Sequence, residues 1–204
     1  MDKIIKTYNN LCETPSDINE HLPILYKYAS ECKTILELGV RGCVSSWAFS
    51  YGLLNNNADS CTLYMNDLTP CNINELIDTC KNTKLKINYM WMNDLHLELH
   101  ENVDLTFIDT WHIYGQLKRE LYKFSKITNK YIIMHDTQVD GIYGETIRCK
   151  WNALKQSIET GIPVEEINCG LQKAINEFLH QNSNWRIKEV FTNNNGLTIL
   201  EKTN

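Results

Sequence analysis

Apolar residues along this chain fall into short runs separated by stretches with helical spacing, and their alternation sets the expected fold. Five runs read as strands: TILELGV (34–40), CTLYMNDL (61–68), LKINYMWMND (85–94), VDLTFID (103–109) and KYIIMHD (130–136). A helix is predicted from Thr14 as N-cap and Pro15 at its first position, with Asp17 in the first turn and Leu22, Leu25, Tyr26 and Ala29 on one face. Further helices are predicted over 45–54, 72–83 (capped by Asn72), 114–127, 145–159 and 170–182. Residues 184–202 are two alternating strands around NNNG, a hairpin signal. Strands alternating with helices predict parallel βαβ units, hence an α/β doubly wound sheet, here closed by an antiparallel hairpin. No linker, repeat or low-complexity tract divides residues 1–204, so a single domain is expected.

Composition narrows the class. Hydrophobic content of 43% and charged content of 22% fit a soluble globular protein. A net charge of −5 with no basic run argues against nucleic acid as a partner. No apolar run approaches the ~18 residues that span a bilayer. The start, MDKIIKTYNN, lacks the apolar region of a signal peptide, so no membrane and a cytoplasmic location are expected. The eight cysteines are scattered without a C-x-x-C pair, which argues against zinc and for reduced thiols.

Each parallel strand ends in polar residues: Glu37-x-Gly39-x-Arg41-Gly42, Asn66-Asp67, Asn93-Asp94, Asp109 and His135-Asp136. One acid at a strand end is an ordinary cap, but ligands of open α/β sheets sit beyond the carboxyl ends of the strands. In ELGVRGCVS, Gly39 allows a tight turn and Gly42 allows close approach to the backbone. The dinucleotide pattern G-x-G-x-x-G is incomplete here, and Glu37 suits a ligand bearing an ammonium group. After the fourth strand, FIDTWHIY brings an acid, an indole, an imidazole and a phenol into six positions.

ILELGVRGCVSSWAF, followed by the acid ending the second strand, resembles the first motifs of class I S-adenosylmethionine (SAM)-dependent methyltransferases. The resemblance implies a Rossmann-like, seven-stranded, mostly parallel sheet whose last strand is antiparallel. It places Glu37, Gly39, Arg41, Gly42 and Ser45 around the methionine moiety and Asp67 at the ribose hydroxyls. Asn93 and Asp94 fall at the adenine edge, with Asp109 at the cofactor as well. FIDTWHIYGQLKREL with IIMHDT is similar to small sugar O-methyltransferases of the macrocin, rhamnosyl and cephalosporin-hydroxylase-like kind, which commonly read I-D-G-D-H-x-Y. That likeness implies a divalent metal, Mg²⁺ or Mn²⁺, on Asp109, His135 and Asp136. Such a donor set suits a hard cation beside an acceptor oxygen.

Trp111 stands where several of these relatives carry a second Asp, which leaves His112 as the candidate base, with Asp109 beside it, and Trp111 to stack on a sugar. Tyr143 and Arg148, in the segment 136–148, and His21 (with Asp17) are candidates for acceptor contact, whereas Trp47, Phe49 and Trp151 are expected in the core. The expected activity is methylation of a sugar hydroxyl, such as a terminal deoxyhexose (rhamnose) on a glycan, as in virus- and bacteria-encoded glycan methyltransferase domains. For a viral protein the location would be the host cytoplasm, and the chain would be a domain of something longer. An NAD-binding oxidoreductase and an inert SAM- or nucleotide-binding module are the alternatives, and the oligomeric state is left open.

Overall fold

Strand β1 (Thr34–Leu38) lies at the middle of the sheet because it is apolar on both faces, with Ile35, Leu36 and Leu38 fully buried. The computed structural model describes residues 1–203. Beside β1 run β2 (Cys61–Asp67), β3 (Leu85–Trp91), β4 (Val103–Ile108) and β5 (Thr128–His135), then β6 (Trp185–Phe191) and β7 (Leu197–Lys202). The spatial order is β3-β2-β1-β4-β5-β7-β6. The first five strands are parallel, and β7 runs antiparallel to both β5 and β6. The chain steps outward from β1 to β3 and then returns to the other side of β1 for β4. The reversal of strand order therefore falls between β1 and β4, where a crevice opens.

Helices cover both faces. On one lie α1 (Asp2–Glu13), α2 (Leu22–Ser30), α3 (Val44–Asn55) and α4 (Asn74–Cys80), packed on Ile35, Leu63 and Phe107. On the other lie α5 (Tyr114–Phe124) and α9 (Leu171–Gln181), packed on Leu36, Leu38 and Ile132. The short helices α6 (Glu145–Arg148), α7 (Ala153–Thr160) and α8 (Val164–Ile167) follow β5. All eight cysteines are free thiols. No helix among the described residues is long and apolar enough to cross a membrane.

Three sequence expectations are corrected. Helix α1, read only as the lack of a signal peptide, buries Ile4 and Tyr8, and Tyr8 packs against the rings of Tyr26 and Tyr51. Thr14 closes α1, its hydroxyl donating to Asn10 O, so the next helix starts only at Leu22 with Pro23 in its first turn. The helix expected over 145–159 is broken: Lys150 takes φ +55° and Asn152 caps α7 by accepting from the Lys155 amide. This break carries Trp151 out of the core to a half-exposed position, while Trp47 and Phe49 are buried as expected.

Candidate active site

The crevice is built where β1 must stop. Gly39 N donates to Asn66 O and Asp109 N donates to Leu38 O, both at 2.9 Å, so the ends of β1, β2 and β4 stay bound together while the chain turns away. Gly39 has φ +89°, and a Cβ there would lie 1.9 Å from Asp109 O. The turn that follows folds over Asp67. Its Oδ2 accepts from Val40 N and Arg41 N at 2.9 and 3.0 Å, and its Oδ1 from the amide and hydroxyl of Thr69 at 2.8 and 2.9 Å. Burial works to raise the Asp67 pKa, but the amides of Arg41, Thr69 and Val40 outweigh it and hold the group below the usual range. Arg41 and Cys43 also take positive φ, a strained path for side-chain-bearing residues.

The resulting crevice encloses about 640 Å³ and is lined by Gly39, Arg41, Asp67, Asn93, Asp94 and Asp109 among the expected cofactor residues. That volume suits a ligand of nucleoside size. Leu68, Leu95, Trp111, Trp151 and Ile162 supply its apolar walls, and Gln116 donates to both oxygens of Asp94 at 3.1 and 3.2 Å. Leu68, Leu95 and Gln116 were not singled out from sequence; lying just beyond strand ends, or one turn into α5, is their only signal there.

Glu37, Gly42 and Ser45 do not line the crevice. Glu37 is fully buried beneath the turn, its Oε1 and Oε2 accepting from the hydroxyls of Ser45 at 2.5 Å and Ser46 at 2.8 Å. The carboxyl therefore ties β1 to the first turn of α3 instead of facing an ammonium group. Burial pushes it up to about 8, against which the two serines pull. An unfolded Glu titrates near 4.3, so the unfolded chain gives up this proton first. Stability from this group is then complete below about pH 4.3 and falls through pH 8, by about 1.4 kcal/mol per pH unit. Urea unfolding between pH 5 and 8 is expected to lose that slope in Glu37→Gln; an unchanged slope would assign the pH dependence to other groups.

At the wall shared by β4 and β5, Asp109, His112, His135 and Asp136 converge. The register pairs Ile108 with Met134, which sets Asp109 beside His135, and Asp136 at φ +56° turns its carboxylate back toward them. His112 Nε2 lies 3.1 Å from both Asp109 Oδ1 and Asp136 Oδ2. His135 Nδ1 lies 3.4 and 3.3 Å from the same two oxygens, while its Nε2 donates to Asn194 O at 3.2 Å. Burial opposes protonation of both imidazoles, yet Asp109 and its neighbours raise His112 well above its ordinary value and His135 to about 10.

A backing carboxylate completes the arrangement. Asp140 is fully buried, takes a bidentate bond from Arg148 at 2.6 and 2.7 Å, and holds its Oδ2 3.2 Å from His112 Nδ1. Its charge favours a proton on Nδ1, although Nδ1 makes no hydrogen bond, and leaves Nε2 facing the cluster. Asp140 was missed in the sequence; its four-residue spacing from Asp136 was the available signal. The donor set fits a divalent cation: Asp109, His112 and Asp136 offer ligand atoms within 4.8 Å of one another, so His112 takes the place the sequence reading gave to His135 in that group. Asp136 Oδ1 and the Nδ1 atoms of His112 and His135 are buried and without a hydrogen-bond partner.

The remaining expected acceptor residues scatter. Arg148 is committed to Asp140, and Tyr143 is exposed and away from the crevice. His21 is buried, its Nε2 donating to Asn193 O and Asn194 O and its ring edge-on to His135, so it supports the cluster from behind. Trp111 does line the crevice.

Neither a protein-family model nor a curated protein sequence matches the chain. Solved structures do. The S-adenosylhomocysteine (SAH)-bound methyltransferase PaMTH1 of Podospora anserina superposes with TM-score 0.61 at 14% identity, over 100% of this chain and 89% of that one. A Staphylococcus aureus protein assigned as a caffeoyl-CoA O-methyltransferase gives 0.63 at 16%, over 98% and 91%. The SAH-bound N-methyltransferase NodS of Bradyrhizobium japonicum gives 0.56 at 13%, over 98% and 99%. The architecture of this chain is thus the class I methyltransferase fold, a seven-stranded, mostly parallel sheet ending in an antiparallel hairpin.

Proposed function

We propose that the chain is a SAM-dependent O-methyltransferase that acts on a small-molecule or glycan hydroxyl in the cytoplasm with the help of a divalent cation, Mg²⁺ or Mn²⁺. A sugar, such as a terminal deoxyhexose, is the acceptor that the sequence resemblance favours. One observation carries the reading. Asp109 belongs to two sites at once, with its backbone forming the crevice floor against Gly39 and its carboxylate joining the His/Asp cluster. A cofactor in the crevice and an acceptor oxygen at the cluster would therefore meet across a single residue. The neighbours of this fold that hold SAH support the cofactor.

SAM supplies a methyl group on a sulfonium, ready for in-line transfer. A cation would be held by Asp109, Asp136 and His135, where it would lower the pKa of an acceptor hydroxyl. The chain's own groups do the rest. Asp67 and Asp94 receive the ribose and adenine, and Trp111, Trp151 and Ile162 bind the apolar face of the acceptor and exclude water. His112 is the proposed base: the Asp140 charge beside it favours a proton on Nδ1, and Nε2 faces the cluster. Neutralising Asp109 and Asp136 relieves their hold on the Nε2 proton and returns His112 toward the range in which it can accept one.

Titration calorimetry with SAM and with NAD, followed by labelled methyl transfer to a panel of sugars, tests the proposal. Micromolar binding of SAM is expected, with transfer abolished by EDTA and restored by Mn²⁺ or Mg²⁺. Binding of NAD without SAM would make the chain an oxidoreductase instead, and full activity in EDTA would remove the cation.

A further inference from the structure

Behind the wall between crevice and cluster lies a carboxyl group that methyl transfer does not use. Glu120, on α5, is fully buried. Its Oε1 accepts from the Thr110 hydroxyl at 2.5 Å and from Gln116 Nε2 at 2.9 Å, and the same Gln116 amide donates to Asp94. Glu120 Oε2 has no partner, and neither has the buried indole Nε1 of Trp111. Both residues line a cavity of about 10 Å³, whose other walls are the polar Thr110, His112 and His135 and the apolar Ile108, Leu117, Met134 and Leu171. That is room for about one water, which needs at least two polar partners to be held. An indole N–H and a carboxyl oxygen are such a pair, as one can only donate and the other accepts or, when protonated, donates. Burial, with Asp94 close by, raises the Glu120 carboxyl well above its usual range.

We propose that Glu120 is a positioning residue: with one internal water it fixes Thr110, Trp111 and Gln116 in the crevice wall and, through Gln116, the Asp94 carboxylate. In its functional part the inference rests on the crevice being a SAM site. All three wall residues come from one short stretch between β4 and the first turn of α5, so a single buried hub governs the crevice side that meets the cofactor. Glu120 touches neither reactant and acts through these neighbours.

The test compares Glu120→Leu, Glu120→Gln and Thr110→Val in the full chain, with two readouts. The first is the Trp111 indole N–H resonance in ¹⁵N-labelled protein without cofactor, identified by its loss in Trp111→Phe. It is expected to shift in Glu120→Leu and to stay near the wild-type position in Glu120→Gln, whose amide can still bond Thr110, Gln116 and the water. The second is the kinetic split. Glu120→Leu is expected to raise the SAM Kd and KM by about 10-fold or more with a smaller change in kcat, Thr110→Val by a lesser factor, and Glu120→Gln by about 2-fold at most. An unmoved indole resonance in Glu120→Leu, or equal damage from Leu and Gln, would overturn the proposal. If Glu120→Leu does not fold, an unchanged SAM Kd and indole resonance in Thr110→Val does so. Wild-type protein that fails to bind SAM would refute the cofactor reading instead, and the indole shifts would still decide the hub.

Discussion

Asp136→Asn is expected to fold normally and to lose turnover by about 10²–10⁴-fold, the scale of losing an acid–base or metal contribution. The substitution is chosen for its backbone. Asp136 sits at φ +56°, which Asn tolerates nearly as well as Asp, so the loop keeps its path and only the charge is removed. That charge is what draws His112 Nε2 and His135 Nδ1 to within 3.1 and 3.3 Å. Mn²⁺ affinity, measured by calorimetry, is expected to fall together with kcat, while SAM affinity changes little because Asp136 does not line the crevice. His112→Ala separates two roles on the same nitrogen. As the base, it loses turnover and retains Mn²⁺ affinity; as a ligand, it loses both. Full turnover in Asp136→Asn would dissociate the cluster from the chemistry.

Gly39→Ala is expected to be the most destabilising single methyl group in the chain. At φ +89° an L-residue costs about 1–2 kcal/mol. The added Cβ would lie 1.9 Å from Asp109 O, a distance that only separation of β1 from β4 can relieve, at about 1–3 kcal/mol more. Against a typical stability of about 5–15 kcal/mol this is a large share. It would appear as a lower urea midpoint and, because Asp109 moves with its strand end, as weakened SAM and Mn²⁺ binding together. Gly42→Ala is the control: nothing lies within 4 Å of its Cβ, and its stability is expected to change by less than about 1 kcal/mol. Equal stability of the two variants would remove the steric account of Gly39.

The sheet was legible because its signal is carried by runs of apolar residues in a row, and TILEL or KYIIM has few other destinations. The polar strand ends were legible for the same reason, as they break those runs at one edge. What periodicity does not carry is where a polar side chain finds its partner. Glu37 and Asp67 are both acids ending strands, yet one is sealed under serine hydroxyls and the other lines the crevice. Arg148 reads as a contact for the acceptor until Asp140, eight residues earlier, is folded against it. Helix α1 was overlooked because only a narrow stripe of it is buried, and its many Asn and Lys residues hide the spacing. Trp151 was misplaced because the break at Lys150 depends on backbone conformation, which composition does not encode.

The hairpin tip has a bearing on when the cluster comes into being. Asn194 O receives His135 and His21, and Asn195 O receives the amides of Gln138 and Val139, so the tip buttresses the loop carrying Asp136. Its own side chains reach back to Ser16 and Glu20, more than 170 positions earlier. Contacts of such sequence separation form late in folding, after the loops they close have been ordered. During synthesis the central strands can pair and the crevice can take shape. The two histidines, however, acquire their final orientation only after the ribosome has released residues 193–196. A chain cut before the hairpin would carry the crevice without a finished His/Asp cluster beside it.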